Sequence, residues 1–197
     1  MTDEHFYNDL DATFDQVWQR LGRGAVDRRS GFHTVQLASV GLDGAPRVRT
    51  VVLRGVARGA RQLRVHTDRR SGKFAELAER PQVEVCAYDP RAKIQIRARG
   101  RAEVSAAASA DAAWAATRPA SRVCYRTSAA PGTPLADPRV LDPDPSPPTD
   151  PEAGREHFGV VLIAPEHLDW LYLAARGHRR ACFQWRADNW QGTWLAP

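Results

Sequence analysis

The feature that most constrains the fold is a hydrophobic period of two, which recurs through much of the chain after residue 31. In the clearest example, apolar residues alternate with polar ones: Ile94, Gln95, Ile96, Arg97, Ala98 and Arg99. Successive side chains of a strand point to opposite faces, so this pattern predicts a strand with one buried and one polar face. Short strands separated by glycine-containing turns, with few helices between them, predict a mainly β fold whose antiparallel sheet closes into a barrel.

The predicted strands cover residues 32–40, 47–56, 62–67, 83–88, 92–104, 157–164, 168–175, 181–186 and 190–195. Three helices are predicted, over 5–22, 71–79 and 105–117. The first carries an apolar stripe that includes Phe14 and Trp18, with Thr2 or Asp3 as its cap and Gly22 and Gly24 as its end. Eight of the 14 prolines fall within 131–154, which predicts a long mobile surface loop.

Composition narrows the class of protein. The chain has 197 residues, enough for one domain spanning 1–197, and a formal charge of +5 that suits an anionic partner. No apolar run approaches the roughly 20 residues that cross a bilayer, and the start lacks the pattern of a secretion signal. Cys86, Cys124 and Cys182 are widely spaced, which argues against a disulfide framework and a zinc site. We therefore expect a soluble, cytoplasmic protein with no metal or membrane partner. A nucleic-acid binder is the alternative that the positive charge and the row Arg97, Arg99 and Arg101 would suit. It is not expected, because arginines elsewhere are interleaved with Asp and Glu and the six tryptophans form no stacking series.

A basic, hydroxyl-rich segment marks the start of the second predicted helix. There His66 and Thr67 end a strand, and Ser71, Gly72 and Lys73 open the helix. Free backbone N–H groups at a helix start, together with hydroxyl and ammonium donors, are suited to binding a phosphate. The alternative is that Ser71 only caps the helix and that the basic side chains are solvated.

Several blocks of the chain together resemble a known family. They are the run Arg49-Thr50-Val51-Val52-Leu53-Arg54, the pair His66-Thr67, Ser71-Gly72-Lys73, Gln95 and the ending Trp194-Leu195-Ala196-Pro197. In this order they resemble the FMN-binding split-barrel family typified by pyridoxamine 5′-phosphate oxidase. The resemblance implies a six-stranded antiparallel split β-barrel, FMN as the cofactor, and a homodimer with FMN at the subunit interface.

The resemblance also assigns roles to residues. It implies that FMN is bound by Arg49, Thr50, Val51, Val52, Arg54, His66, Thr67, Ser71, Gly72, Lys73 and Gln95. Gly72 stands where the oxidases commonly have an arginine, a charge that Arg69 or Arg70 could replace. Gln95 matches a residue that reaches the flavin from the partner subunit or from an adjacent strand. Arg49, Arg54 and Arg97 are candidates for a positive group near N1 of the flavin.

The implied substrate residues fit the family less closely. They are Arg118 and Ser121 after the third helix, and Arg179 and Arg180 near the C-terminus. Trp114 replaces a family tyrosine, and Cys182 stands at an arginine position. The implied reaction is hydride transfer from a small substrate to N5 of FMN, with reoxidation by dioxygen or another acceptor. The alternatives are a non-catalytic FMN carrier or sensor, and a relative that uses haem or the deazaflavin F420.

Overall fold

A computed structural model describes residues 5–105, 107–142 and 150–197. The strands are β1 (Thr34–Val40), β2 (Pro46–Ala57), β3 (Gln62–Asp68), β4 (Gln82–Asp89), β5 (Ile94–Val104), β6 (Phe158–Tyr172), β7 (Arg179–Arg186) and β8 (Asn189–Leu195). The α-helices are α1 (Leu10–Val26), α2 (Gly72–Glu79), α3 (Ala107–Ala115) and α4 (Pro119–Arg122). Short 3₁₀ turns cover His5–Asn8, Val123–Tyr125, Pro138–Leu141 and Arg155–His157.

The eight strands form one antiparallel sheet in the order β3-β2-β1-β4-β5-β6-β7-β8. An additional pairing of β3 with β6 closes the first six strands of that order into a barrel. Strands β7 and β8 continue the sheet beyond the closure. The predicted mainly β fold with a closed, six-stranded antiparallel barrel is confirmed.

Strand β6 corrects one prediction. The sequence predicts two strands, 157–164 and 168–175, but one strand runs from Phe158 to Tyr172. Its middle contains Pro165, which has no N–H to donate to a neighbouring strand. A register shift between Arg99 and Gly100 of β5 lies opposite this point. The irregularity accommodates the proline, so β6 pairs with both β3 and β5 along its length.

Helix α1 also differs from its prediction. The 3₁₀ turn precedes it, and Asp9 caps it by accepting a hydrogen bond of 2.9 Å from the backbone N–H of Ala12. The predicted caps Thr2 and Asp3 lie outside the described residues. Gly22 and Gly24 do not end the helix, because packing extends it to Val26; Gly24 lies directly against Phe32, where a Cβ would collide.

Two apolar clusters place the remaining elements. The larger combines inward-facing side chains of the barrel strands with Val17, Trp18 and Leu21 of α1. The smaller lies outside β3 and β6, where Trp114 of α3 packs its ring 5.3 Å from that of Phe158. This second cluster holds α3 and the following turn beside the outer face of β3.

The described parts of the proline-rich stretch, 131–142 and 150–154, contain no strand and are mostly exposed. Residues 143–149 of the predicted loop lie outside the described residues. None of the described helices is both long and apolar enough to cross a membrane.

Candidate functional site

The start of α2 carries the predicted phosphate-binding cluster. Ser71 is the N-cap residue, yet its hydroxyl caps no helical N–H and instead donates to the carbonyl of Asp68 at 2.6 Å. The Nζ of Lys73 donates to the Ser71 Oγ at 3.2 Å, and the Thr67 Oγ1 lies 3.4 Å from that same oxygen. The capping role that was the alternative for the Ser71 side chain is therefore not the one observed. First-turn N–H groups, such as those of Gly72 and Lys73, have no partner within a helix.

Arg49 reaches this cluster from β2 and is held by a buried network. Its guanidinium donates to the Ser39 Oγ at 2.5 Å and to Glu76 Oε2 at 2.7 Å. The Ser39 hydroxyl donates to the same Glu76 oxygen at 2.6 Å, and both side chains are buried. Glu76 thus fixes Arg49 in one position and offsets its charge.

Lys73 lies in a partly desolvated environment, near the charge of Arg49 and the carboxylates of Asp68 and Glu76. Burial lowers the pKa of its ammonium, and the nearby Arg49 charge lowers it further. Two cations held close together, with free amides at the helix start, form an arrangement that a phosphate dianion would stabilise.

The neighbouring arginines differ in their availability to this cluster. Arg70 is bound to Asp68 at 2.7 Å and to the Thr127 carbonyl at 2.8 Å. Arg69 is exposed, and its guanidinium lies over the Phe74 ring. Of the two residues predicted to replace the arginine missing at Gly72, only Arg69 is without an ionic partner within the described chain.

A cleft of about 260 Å³ lies on the outer face of β2 and β3, bounded by α3, α4 and the segment around the end of α1. Two predicted FMN residues, Arg54 and His66, line it together with the predicted substrate residues Arg118 and Ser121. The structure therefore brings these four positions together, although Arg54 and Arg118 are 64 residues apart in the sequence.

The charge of the cleft is one-sided. Four arginines line it (Arg28, Arg54, Arg64 and Arg118), and no carboxylate is among its described lining residues. Burial lowers the pKa of His66, and the nearby charges of Arg54 and Arg64 lower it further, to about 4. Its ring is neutral at physiological pH, and its buried Nε2 has no hydrogen-bond partner in the described chain.

The lowered pKa of His66 makes the stability of the protein depend on pH. Between pH 6.5 and about 4, this imidazole is protonated in the unfolded chain and neutral in the folded one. The free energy of unfolding therefore falls as the pH drops through this window, by up to roughly 3 kcal/mol from this group. We expect His66→Gln to lose less stability than the wild type between pH 7 and pH 4, measured by urea unfolding. The exposed His178→Gln is the matched control, and identical pH profiles for His66→Gln and wild type would contradict the assignment.

The other predicted FMN residues lie on two strands of the barrel. Thr50 and Val52 face outward from β2, whereas Val51 is buried in the barrel. Gln95 also faces outward but lies on β5, which β1 and β4 separate from β2. Three strand spacings amount to about 14 Å. Whether Gln95 reaches the flavin from an adjacent strand or from the partner subunit stays a prediction.

The C-terminal residues make other contacts in this chain. Arg180 donates to Asp169 at 2.8 Å, and Asp169 also accepts from Arg97 at 3.1 Å. Arg179 lies with its guanidinium 4.2 Å from the centre of the Tyr7 ring. Neither Arg179 nor Arg180 is among the described residues that line the cleft. Arg97 is bound to Asp169, so of the three candidates near N1 only Arg54 lies in the cleft.

The sequence reasoning missed Arg64, Arg28, Ser39 and Glu76. Arg64 could have been found, because it precedes His66 by two residues and so shares its face of the strand. The other three are brought to the site only by tertiary packing.

Comparison with known proteins places the chain in a family. Residues 14–106 match the model of the FMN-binding domain of pyridoxamine 5′-phosphate oxidase. Pyridoxine/pyridoxamine 5′-phosphate oxidase 2 of Arabidopsis thaliana is 35% identical in an alignment 170 residues long, which covers 79% of this chain and 83% of the relative. The chain belongs to the pyridoxamine 5′-phosphate oxidase family. The resemblance drawn from the sequence is confirmed, and the cofactor is FMN.

Further similar proteins match this chain over nearly its whole length. The pyridoxine/pyridoxamine 5′-phosphate oxidase of Anaeromyxobacter dehalogenans is 30% identical over 90% of this chain and 91% of its own length. A pyridoxamine 5′-phosphate oxidase-related, FMN-binding protein of Nostoc punctiforme has a TM-score of 0.75 at 26% identity, covering 94% of this chain and 96% of its own. PhzG of Burkholderia lata has a TM-score of 0.74 at 19% identity, covering 100% and 98%, and shares the fold.

The residues present fit FMN. The phosphate of the cofactor is a dianion, and the α2 start offers Lys73, Arg49 and free backbone amides. The buried Nε2 of His66, at the edge of the cleft, has no hydrogen-bond partner in the described chain, and bound FMN would be able to supply one.

Proposed function

We propose that this member of the family is an FMN-dependent oxidoreductase that oxidises a small phosphorylated amine or alcohol of the pyridoxamine 5′-phosphate class. The observation that carries the proposal is the cleft in which Arg54 and His66 meet Arg118 and Ser121. A site with several arginines and a hydroxyl, and with no carboxylate among its described lining residues, favours an anionic substrate over a cationic one.

The α2 start would hold the phosphate of FMN. Lys73 and the amides at the helix start would donate to it, while Glu76 keeps Arg49 aimed at the same place. FMN bound there would supply the redox chemistry, namely the capacity to accept a hydride at N5 and to be reoxidised by dioxygen or another acceptor.

The cleft residues would bind and orient the substrate. Arg54 projects from β2, and Arg118 and Ser121 lie at the start and within the single turn of α4, so the anionic group would be held between sheet and helix. His66, kept neutral, adds no positive charge and presents an imidazole nitrogen that can donate or accept one hydrogen bond. Fixed placement of this kind lowers the barrier by orienting the reacting atoms rather than by acid–base catalysis.

Anaerobic titration of the FMN-loaded protein with pyridoxamine 5′-phosphate tests the proposal. We expect loss of the visible absorbance of the oxidised flavin, and its return on admission of air. Arg54→Gln should slow the reduction by roughly 10- to 100-fold, since a charge-assisted contact contributes about 1.5–3 kcal/mol.

Arg101→Gln removes the same charge from an exposed site on β5 and serves as the control. If the protein retains FMN, but neither pyridoxamine 5′-phosphate nor a nicotinamide donor reduces it, the result would instead indicate a non-catalytic carrier or sensor. The match to an FMN-binding domain supports an FMN-dependent oxidoreductase over the alternatives that use haem or F420.

We also propose that two copies of the chain associate, with Gln95, Arg179 and Arg180 directed to the FMN of the partner. Val48 of β2 and Tyr88 of β4 lie on the outer sheet face and are 67% and 43% exposed, so both apolar side chains are accessible to a second copy. Sedimentation of the FMN-loaded protein should give twice the 21.8 kDa chain mass. Val48→Asp should shift it toward the monomer, and a wild-type monomer would refute the association.

A further inference from the structure

Two of the four cleft arginines are left without a role by the proposed function. Arg54 and Arg118 match the positions expected to bind a substrate phosphate, whereas Arg28 and Arg64 match none. Both line the same cleft, from the segment after α1 and from β3. Neither forms an ion pair within 4 Å with a carboxylate of the described chain.

The backbone is arranged to place Arg64 there. The pairing of β2 with β3 shifts its register between Leu53 and Gly55, so Arg54 lies at an irregularity of the sheet. Gly55 leaves space for the guanidinium of Arg64, which would lie 3.0–3.2 Å from a Cβ at that position. Arg64 then donates to the Arg54 carbonyl at 3.2 Å. This contact fixes the Arg64 side chain across β2, beside Arg54.

The charges in the cleft exceed what one phosphate would offset. A phosphate monoester carries about two negative charges at neutral pH. With four arginines, the cleft would keep a net positive charge after one such group is bound. The charges of Arg54 and Arg64 also contribute, after burial, to the lowered pKa of His66. Like charges gathered without carboxylates cost free energy, which a second anionic group on the ligand would offset.

We propose that the cleft binds a ligand with two anionic groups, a phosphate held by Arg54, Arg118 and Ser121, and a second carboxylate or phosphate held by Arg28 and Arg64. This inference rests on the proposed function and narrows its substrate class. A substrate with one phosphate and no other acid would leave the Arg28–Arg64 side of the cleft unmatched.

Two probes of similar size separate the subsites. Ethyl phosphate carries one anionic group, and phosphoglycolate carries a phosphate and a carboxylate. Calorimetric titration of the FMN-loaded protein at fixed ionic strength should show phosphoglycolate binding at least tenfold more tightly. Equal affinities of the wild type for the two probes would overturn the proposal without need of any variant.

The variants assign the preference to residues. Arg64→Gln and Arg28→Gln should each reduce the preference for phosphoglycolate at least threefold, while changing the affinity for ethyl phosphate less than twofold. Arg101→Gln is the matched control for the overall field, and an equal effect from it would overturn the subsite. Arg54→Gln should weaken both probes; if it weakens neither while the Arg28 and Arg64 effects remain, the proposed phosphate subsite fails and the second subsite stands. Flavin content and circular dichroism confirm that each variant is folded.

Discussion

Lys73→Gln will weaken FMN binding by roughly 10- to 100-fold, because it removes the one lysine at the start of α2. A hydrogen bond from a charged donor contributes about 1.5–3 kcal/mol, and each 1.4 kcal/mol is a tenfold change in affinity. Lys73 is partly buried beside Arg49, so its charge acts in a less screened environment than an exposed lysine would. Quenching of flavin fluorescence on addition of the apoprotein measures the dissociation constant directly.

Lys93→Gln supplies the matched control. Lys73 and Lys93 are the two lysines of the chain, and Lys93 is exposed in the turn between β4 and β5. The control should leave FMN affinity within about twofold of the wild type. Ser71→Ala should have a smaller effect than Lys73→Gln, because the Ser71 hydroxyl donates its hydrogen bond to the backbone carbonyl of Asp68 and acts mainly by accepting one from the Lys73 ammonium. An unchanged affinity in Lys73→Gln would show that the phosphate of FMN binds elsewhere.

Gly100→Ala will destabilise the protein by about 2–3 kcal/mol, the upper part of the range for overpacking. Gly100 lies at the irregularity where β5 passes Pro165 of β6, and a Cβ there would collide with the Ala164 carbonyl oxygen. The obstructing atom belongs to the backbone, so no side-chain rotation relieves the clash. The strands of the barrel wall would have to separate. Urea unfolding of the FMN-free protein measures the loss without the added stabilisation of a ligand.

Gly22→Ala makes the same chemical change, but we expect it to stabilise the protein. Gly22 lies within α1, and a Cβ there meets no atom within 4 Å. Alanine should stabilise the protein by about 0.5–1 kcal/mol, since it lowers the backbone entropy lost on folding. Gly100→Ala as stable as wild type would contradict the close approach of β5 and β6.

The local elements were largely predictable from the sequence. The alternation over 94–101 gave a strand with Ile94 and Ile96 inside and Arg97 and Arg99 outside, as observed. Helix α2 was predicted to within one residue. The errors arose where a local signal was overruled: Pro165 reads as a strand break, but pairing on both sides carries β6 through it.

The candidate site also has one part that was predictable from the sequence and one part that was not. The cluster of Thr67, Ser71 and Lys73 lies within seven residues of sequence, so strand and helix geometry alone brought its members together. The sequence alone could not decide whether the Ser71 side chain caps the helix. The structure decides it, because the Ser71 hydroxyl donates its hydrogen bond to the carbonyl of Asp68 instead.

By itself, the sequence determined the alternating strands, the basic helix start and the family, because these depend on residue types at short spacing. Only the tertiary structure decided that Arg28, Arg54, Arg64 and Arg118 share one cleft and that Glu76 holds Arg49. It decided equally that Gln95 lies three strands from Thr50. The physical reason is that the order of strands in a closed barrel, and the packing of helices on it, are set by the burial of apolar faces over the whole chain. No local pattern of charged residues specifies which of them that burial brings together.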